Sequence, residues 1–163
     1  MPSVRPALDH FAAWPNCTRK LGALGICIGG HLACRAAMNP DVLGAAFFYA
    51  TDIHKGSLGE GIQDDSLERA KDIRGELLMI WGGQDPHIPL EGRMKVLARL
   101  NELGLRLNWV EVNGAHAFMR DEGPRYDPEL AYSLYGTVLS FFHRKLAEGD
   151  LTAGSAGAAE TRH

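Results

Sequence analysis

What this chain of 163 residues lacks narrows its function before any motif is considered. Cysteine is scarce: Cys17, Cys27 and Cys34 are an odd number at no framework spacing. That argues against a disulfide-stapled secreted domain and for a reduced, cytoplasmic setting. No apolar run approaches the ~18 residues a membrane-spanning helix needs, so no membrane partner is expected. Positive charge is not in surplus either. Lys and Arg total 17 against 20 Asp and Glu, a formal net charge of −3, which gives no electrostatic reason to expect nucleic acid or an anionic membrane surface. The opening Met1-Pro2-Ser3-Val4-Arg5-Pro6 lacks the apolar region of a signal peptide, and there are no internal repeats. What is present, 45% hydrophobic and 23% charged residues, suits one globular core.

Residues 4 to 14 carry apolar side chains at close to helical spacing, and Pro15-Asn16 breaks the pattern. Leu21 to Ile28 reads as a buried strand, followed by a helix of small residues from Gly30 to Met38 that Asn39-Pro40 stops. Val42 to Ala50 is a second apolar run of strand length, and the polar, glycine-rich residues 51 to 72 read as a surface loop with a short helix near Leu67 to Lys71. Leu77 to Trp81 predicts a third strand, Leu90 to Leu103 a helix capped by Gly104, Leu107 to Val112 a fourth strand, and Pro128 to Leu146 a long last helix. Residues 1–146 are therefore read as a single α/β domain, a parallel sheet with helices on both faces. Residues 147–163, rich in Gly, Ala, Ser and Thr, read as a disordered tail.

The most informative stretch is Gly25-Ile26-Cys27-Ile28-Gly29-Gly30-His31. It is a strand that turns through glycines into a helix with one thiol at the turn, the spacing of a nucleophile elbow. Cβ atoms at Gly25 or Gly29 are expected to collide with the neighbouring strand or helix. Cys27, Asp85 and His116 each directly follow a predicted strand. In an open parallel sheet the loops after the strands' C-terminal ends converge on one crevice. His116 as base and the first turn of the following helix would activate the Cys27 thiol. Asp85 would hold the imidazole in the required tautomer, and the Ile28 N–H would face a developing oxyanion. His31, opening the helix, reads as a packing or capping residue, and Cys34 as core. Cys27 and His31 at i, i+4 show no known metal spacing even with His87 and His116 added, and the glycines miss the G-x-G-x-x-G register. Neither a metal nor a cofactor is expected.

Three motifs together, G-I-C-I-G-G-H, W-G-G-Q-D-P-H-I-P and G-A-H-A-F-M-R-D-E-G-P-R-Y-D-P, resemble the dienelactone hydrolases (carboxymethylenebutenolidases) from about residue 20 to 145. The resemblance implies an α/β-hydrolase-like three-layer αβα sandwich, with Cys27 as nucleophile, Asp85 as orienting acid and His116 as base. It implies that Arg120, four residues after the histidine, helps bind a substrate carboxylate, which a guanidinium fork suits. The implied substrate is a small lactone or ester, opened through an acyl-enzyme. The family has several strands and helices ahead of the nucleophile strand, about 70 residues or more by ordinary element lengths, whereas here some 20 residues precede it. The segments in question carry the family's second oxyanion donor, a second substrate-binding arginine and a glutamate controlling the resting thiol, none with a matching position. The expectation is therefore a truncated hydrolase domain with its N-terminal strands missing and an open apolar edge on the nucleophile strand. Such an edge would be covered by a second copy in a homo-oligomer. The alternative is a catalytically impaired fragment that serves as an interaction module.

Overall fold

A computed structural model describes residues 4–147; the tail expected at residues 147–163 lies, apart from Ala147, outside the described residues. Four strands, β1 (Leu21–Ile26), β2 (Val42–Phe48), β3 (Glu76–Gly82) and β4 (Leu107–Val112), form one sheet in the order β1-β2-β3-β4 with every pairing parallel. The helices are α1 (Arg5–Ala12), α2 (Ile28–Ala37), α3 (Ser66–Arg69), α4 (Leu90–Glu102) and α5 (Pro128–Leu146). No described helix is long and apolar enough to cross a membrane.

The interior strands look as parallel strands covered on both faces should, as near-continuous apolar runs. Every residue of β3 is buried, as are all of β2 except Leu43. Successive side chains of a strand point to opposite faces, and the glycines reveal what covers each. A Cβ at Gly44 would stand 3.0 Å from the Phe141 ring of α5, whereas a Cβ at Gly30 of α2 would meet Phe47 and Ala50. Residues 44 and 47 have opposite parity, so α5 and α2 cover opposite faces. Right-handed crossovers between parallel neighbours put the β3–α4–β4 helix on the α2 side. The α5 helix is stopped at its start by Asp127, whose carboxylate accepts from the Glu129 and Leu130 N–H groups.

β1 is an edge strand. Gly22 lies beneath Phe142 of α5, but Leu24 and Ile26, on the same face, are 56% and 43% exposed. The expected open apolar edge is thus a feature of the described fold.

Two expectations need correction. The first strand ends at Ile26 rather than Ile28, because Cys27 adopts φ +58° and Ile28 already begins α2. Residues 51–72 are not simply a surface loop. Ile53, Ser66 and Ala70 are buried, a short 3-10 turn forms at Ile53–Lys55, and Ser57 bridges Gln63. The cause is a buried polar cluster. The fully buried His31 ring places Nδ1 2.9 Å from the Thr51 carbonyl and Nε2 2.8 Å from Asp64 Oδ1 and 2.9 Å from Ser66 Oγ, while Arg35 also reaches Asp64. A buried carboxylate needs such partners, and they draw the segment onto α2. His31 is a packing residue, as expected.

Candidate active site

The elbow forms because β1 must reverse into α2 within one residue. Cys27 sits at φ +58°, ψ −125°, a backbone region costly for a side chain with a Cβ. The turn is pinned from both sides. Its N–H donates to the Phe48 carbonyl at 3.0 Å, and its carbonyl accepts from Gly30 N–H at 2.9 Å. Gly25 is obligatory, since a Cβ there would run into the Gly29 carbonyl group. Gly29 is not, contrary to the sequence expectation: a Cβ there meets nothing within 4 Å. The helical step of about 100° per residue explains the difference. Gly29 points away from the sheet and Gly30, one residue on, points into it, where a Cβ would lie 2.9 Å from that of Ala50.

The loops after β3 and β4 are laced together. Gly83 N–H donates to the Val112 carbonyl at 2.8 Å and Gln84 N–H to the Gly114 carbonyl at 3.0 Å, and the Gln84 amide reaches Asn113 Oδ1 at 2.6 Å. Gly82 permits this approach, because a Cβ would strike the Gly114 carbonyl. Asp85 and His116 thereby face each other, with His116 Nδ1 2.7 Å from Asp85 Oδ2. On its other side His116 Nε2 lies 3.2 Å from Cys27 Sγ. Asp85 and His116 are buried, and Cys27 is partly exposed.

The electrostatics follow from these contacts. Burial alone would push the Asp85 carboxyl up. The hydrogen bonds from the His116 ring and from His87 N–H (2.8 Å to Oδ1) outweigh it and hold Asp85 below its ordinary value. An ionised Asp85 can only accept, so the His116 proton belongs on Nδ1, and Nε2 of the neutral ring turns a lone pair toward the thiol. Ile28, as the first residue of α2, has an N–H with no i−4 partner, and the positive end of this helix of 10 residues begins at Cys27, its N-cap residue. The arrangement is equipped to take a proton from Cys27 and to stabilise negative charge beside it. By contrast, burial pushes Cys34 up to about 12, leaving it inert.

Of the residues picked from sequence, Cys27, Asp85, His116 and Ile28 are brought together. Arg120 is not tied to them. Its side chain is exposed and makes no hydrogen bond or ion pair among the described residues, and its N–H donates to the Ala117 carbonyl. One neighbour is missed from sequence, Tyr49, and a second, His87, is weighed there only as a metal ligand. Tyr49, buried and at φ +36°, has its ring centroid 4.8 Å from that of His116 and 5.1 Å from that of Phe118. Burial raises the pKa of its hydroxyl to about 12, against a hydrogen bond from the Met119 backbone that works to lower it. His87 stands edge-on to His116 at 4.7 Å. The positional rule that found the other residues also finds Tyr49 once β2 is seen to end at Phe48. It was hidden inside a longer apolar run.

A parallel sheet with a strained nucleophile elbow and helices on both faces is the α/β-hydrolase-like architecture. The dienelactone hydrolase family model matches residues 2–146, and the chain belongs to that family. It is 38% identical over 134 residues to the "Putative carboxymethylenebutenolidase" of Saccharomyces cerevisiae, covering 78% of this chain and 49% of that protein. The carboxymethylenebutenolidase of Pseudomonas putida is 26% identical over 125 residues, 76% of this chain and 48% of the relative. In fold, the chain resembles a Klebsiella pneumoniae crystal structure described as a "Putative Dienelactone Hydrolase", with a TM-score of 0.74 and 24% identity over 85% of this chain and 59% of the other. The chain spans about half the length of the two sequence relatives.

Proposed function

We propose that this chain hydrolyses a lactone or small carboxylic ester through Cys27, His116 and Asp85. The observation that carries the reading is the single imidazole spanning from Asp85 Oδ2, 2.7 Å from Nδ1, to Cys27 Sγ, 3.2 Å from Nε2. His116 takes the Cys27 proton, and the thiolate adds to the substrate carbonyl carbon. The resulting oxyanion is met by the Ile28 N–H. Collapse breaks the C–O bond to the leaving alkoxide, which takes the proton from His116 Nε2. Water, deprotonated by His116, then attacks the thioester, releasing the acid and restoring the thiol. Asp85 remains ionised throughout and balances the transient imidazolium. No cofactor enters these steps.

The substrate in this reading carries a carboxylate, for which the exposed Arg120 guanidinium, unpartnered among the described residues, supplies a bidentate donor. The three unbridged cysteines suit a cytoplasmic enzyme. A second copy covering the β1 edge would shelter Leu24 and Ile26. The test is turnover of a p-nitrophenyl ester and of a dienelactone. The expected result is a Cys27-dependent acyl burst that Cys27→Ala abolishes; a well-folded chain with neither burst nor turnover would overturn the proposal.

A further inference from the structure

At the edge of the sheet opposite the elbow, where the strands begin, five cationic side chains converge on one small cavity of about 190 Å³: Lys20, Arg74, Arg106, Arg144 and Lys145. They come from the approaches to β1, β3 and β4 and from the last turn of α5. One carboxylate, Glu76, lies among them, and it is already engaged. Arg144 grips it with two N–H groups at 2.9 and 3.0 Å, Lys145 Nζ stands 2.6 Å away and Asn108 donates at 2.7 Å. Arg144 and Lys145 also complement the negative end of α5. Their presence is thus accounted for by the fold.

The other three are not accounted for in this way. Lys20 donates to the Ala147 carbonyl at 2.8 Å and Arg106 to the Arg74 carbonyl at 3.2 Å, contacts that position the side chains without neutralising them. No ion pair to a described carboxylate is made by Lys20, Arg74 or Arg106. Like charges gathered within one Debye length, about 10 Å at moderate salt, repel one another. In a chain of net charge −3 this is a concentration of the opposite sign at one end.

We infer that this cavity is a binding site for a small phosphate-bearing anion. Guanidinium forks match phosphate oxygens in pairs, and a doubly charged tetrahedral group can engage several of these donors at once. The cavity is smaller than the roughly 300 Å³ at which drug-sized pockets begin, so it accommodates a phosphate group and not a bulky body. The site lies away from the thiol and does not depend on the hydrolase reading.

The test is amide chemical-shift titration of the full chain with inorganic phosphate, against chloride at matched ionic strength. Phosphate-specific, saturating shifts of the Gly75 and Arg106 amides are expected. The exposed pair Arg74→Ala and Arg106→Ala, made together, should weaken binding by at least about tenfold, the loss of one or more charge-assisted hydrogen bonds. Thermal melting should be unchanged, confirming that the variant folds. Glycerol phosphate is the second arm. Binding as tight as that of free phosphate identifies a phosphomonoester site, and weaker binding identifies a site for the free ion; either upholds the inference. Shifts indistinguishable from those of chloride, or unaltered in the variant, overturn it. So does much tighter binding of a DNA oligonucleotide, which would mark a polyanion surface instead.

Discussion

His116 Nε2 lies 3.2 Å from Cys27 Sγ, although 89 positions separate the two residues in the chain. The contact exists because β1 and β4 run parallel at opposite ends of one sheet and their following loops emerge at the same edge. Everything proposed about chemistry depends on that pairing.

The thiols should therefore differ in reactivity. With iodoacetamide, Cys27 is expected to label faster than the partly buried Cys17, and Cys34 only after unfolding, since burial holds its thiol near 12. Peptide mapping by mass spectrometry reads the order. Equal rates at Cys27 and Cys17 would contradict an activated thiolate.

Asp85→Asn keeps the shape of the side chain but offers His116 Nδ1 a group able to donate as well as accept. A fall in kcat of roughly 10²–10⁴-fold is expected, by analogy with the loss of the orienting acid elsewhere, with KM little changed. The same variant should lose a depressed carboxyl titration in ¹³C NMR, because the His116 and His87 hydrogen bonds keep Asp85 low.

The two glycines flanking Cys27 should respond in opposite ways. Gly25→Ala forces a Cβ into the Gly29 carbonyl group and should prevent stable folding. Gly29→Ala meets open space and replaces a helical glycine, so the melting temperature should hold or rise, with up to about 1 kcal/mol of gain. Equal destabilisation by both would show that Gly29, like Gly25, has no room for a side chain.

Tyr49 tests the support beneath the histidine. Tyr49→Phe keeps the ring against His116 and Phe118 and removes a buried hydroxyl whose hydrogen bond is to the Met119 backbone, so stability should change by no more than about 1 kcal/mol. Tyr49→Leu removes the ring contact and should lower kcat and move the pH profile of kcat/KM. An unmoved profile would make the contact incidental.

Acid should weaken the fold through Glu76. Burial would raise this carboxyl, but Arg144, Lys145 and Asn108 bring it down from 4.5 to about 2. A depressed folded-state pKa stabilises above the unfolded value and is lost as pH falls through the folded one. The contribution is full above pH 4.5 and disappears toward pH 2, on the order of 3 kcal/mol before any allowance for solvent screening. Melting temperatures of Glu76→Gln should be lower at neutral pH and flatter across that acid window than those of the parent chain.

Legibility varied with how locally each feature is encoded. The limits of β4 and α5, Leu107–Val112 and Pro128–Leu146, were read as they stand, because Gly104 and Pro128 punctuate them and their apolar periods are clean. The end of β1 was misread because Ile26-Cys27-Ile28 is apolar throughout, while the break is a φ of +58° that hydropathy does not encode. Residues 51–72 look solvated in composition. The Asp64 side chain is nevertheless buried, because Arg35 neutralises it and His31, like Arg35 more than 25 positions earlier, bonds it.

The sequence by itself determined that three residues able to form a nucleophile, an acid and a base each follow a strand. Parallel topology then obliges them to share one edge. It also determined the need for glycine at Gly25, since a reversal in one residue leaves no room for a Cβ. Only the tertiary structure decided that Gly29 is free, that Tyr49 lies against His116, that Arg120 is exposed and unbonded to the other site residues, and that five cations meet at the far edge. Those outcomes are distances between segments far apart in the chain, set by how helices pack across the sheet, and no local period or propensity carries them.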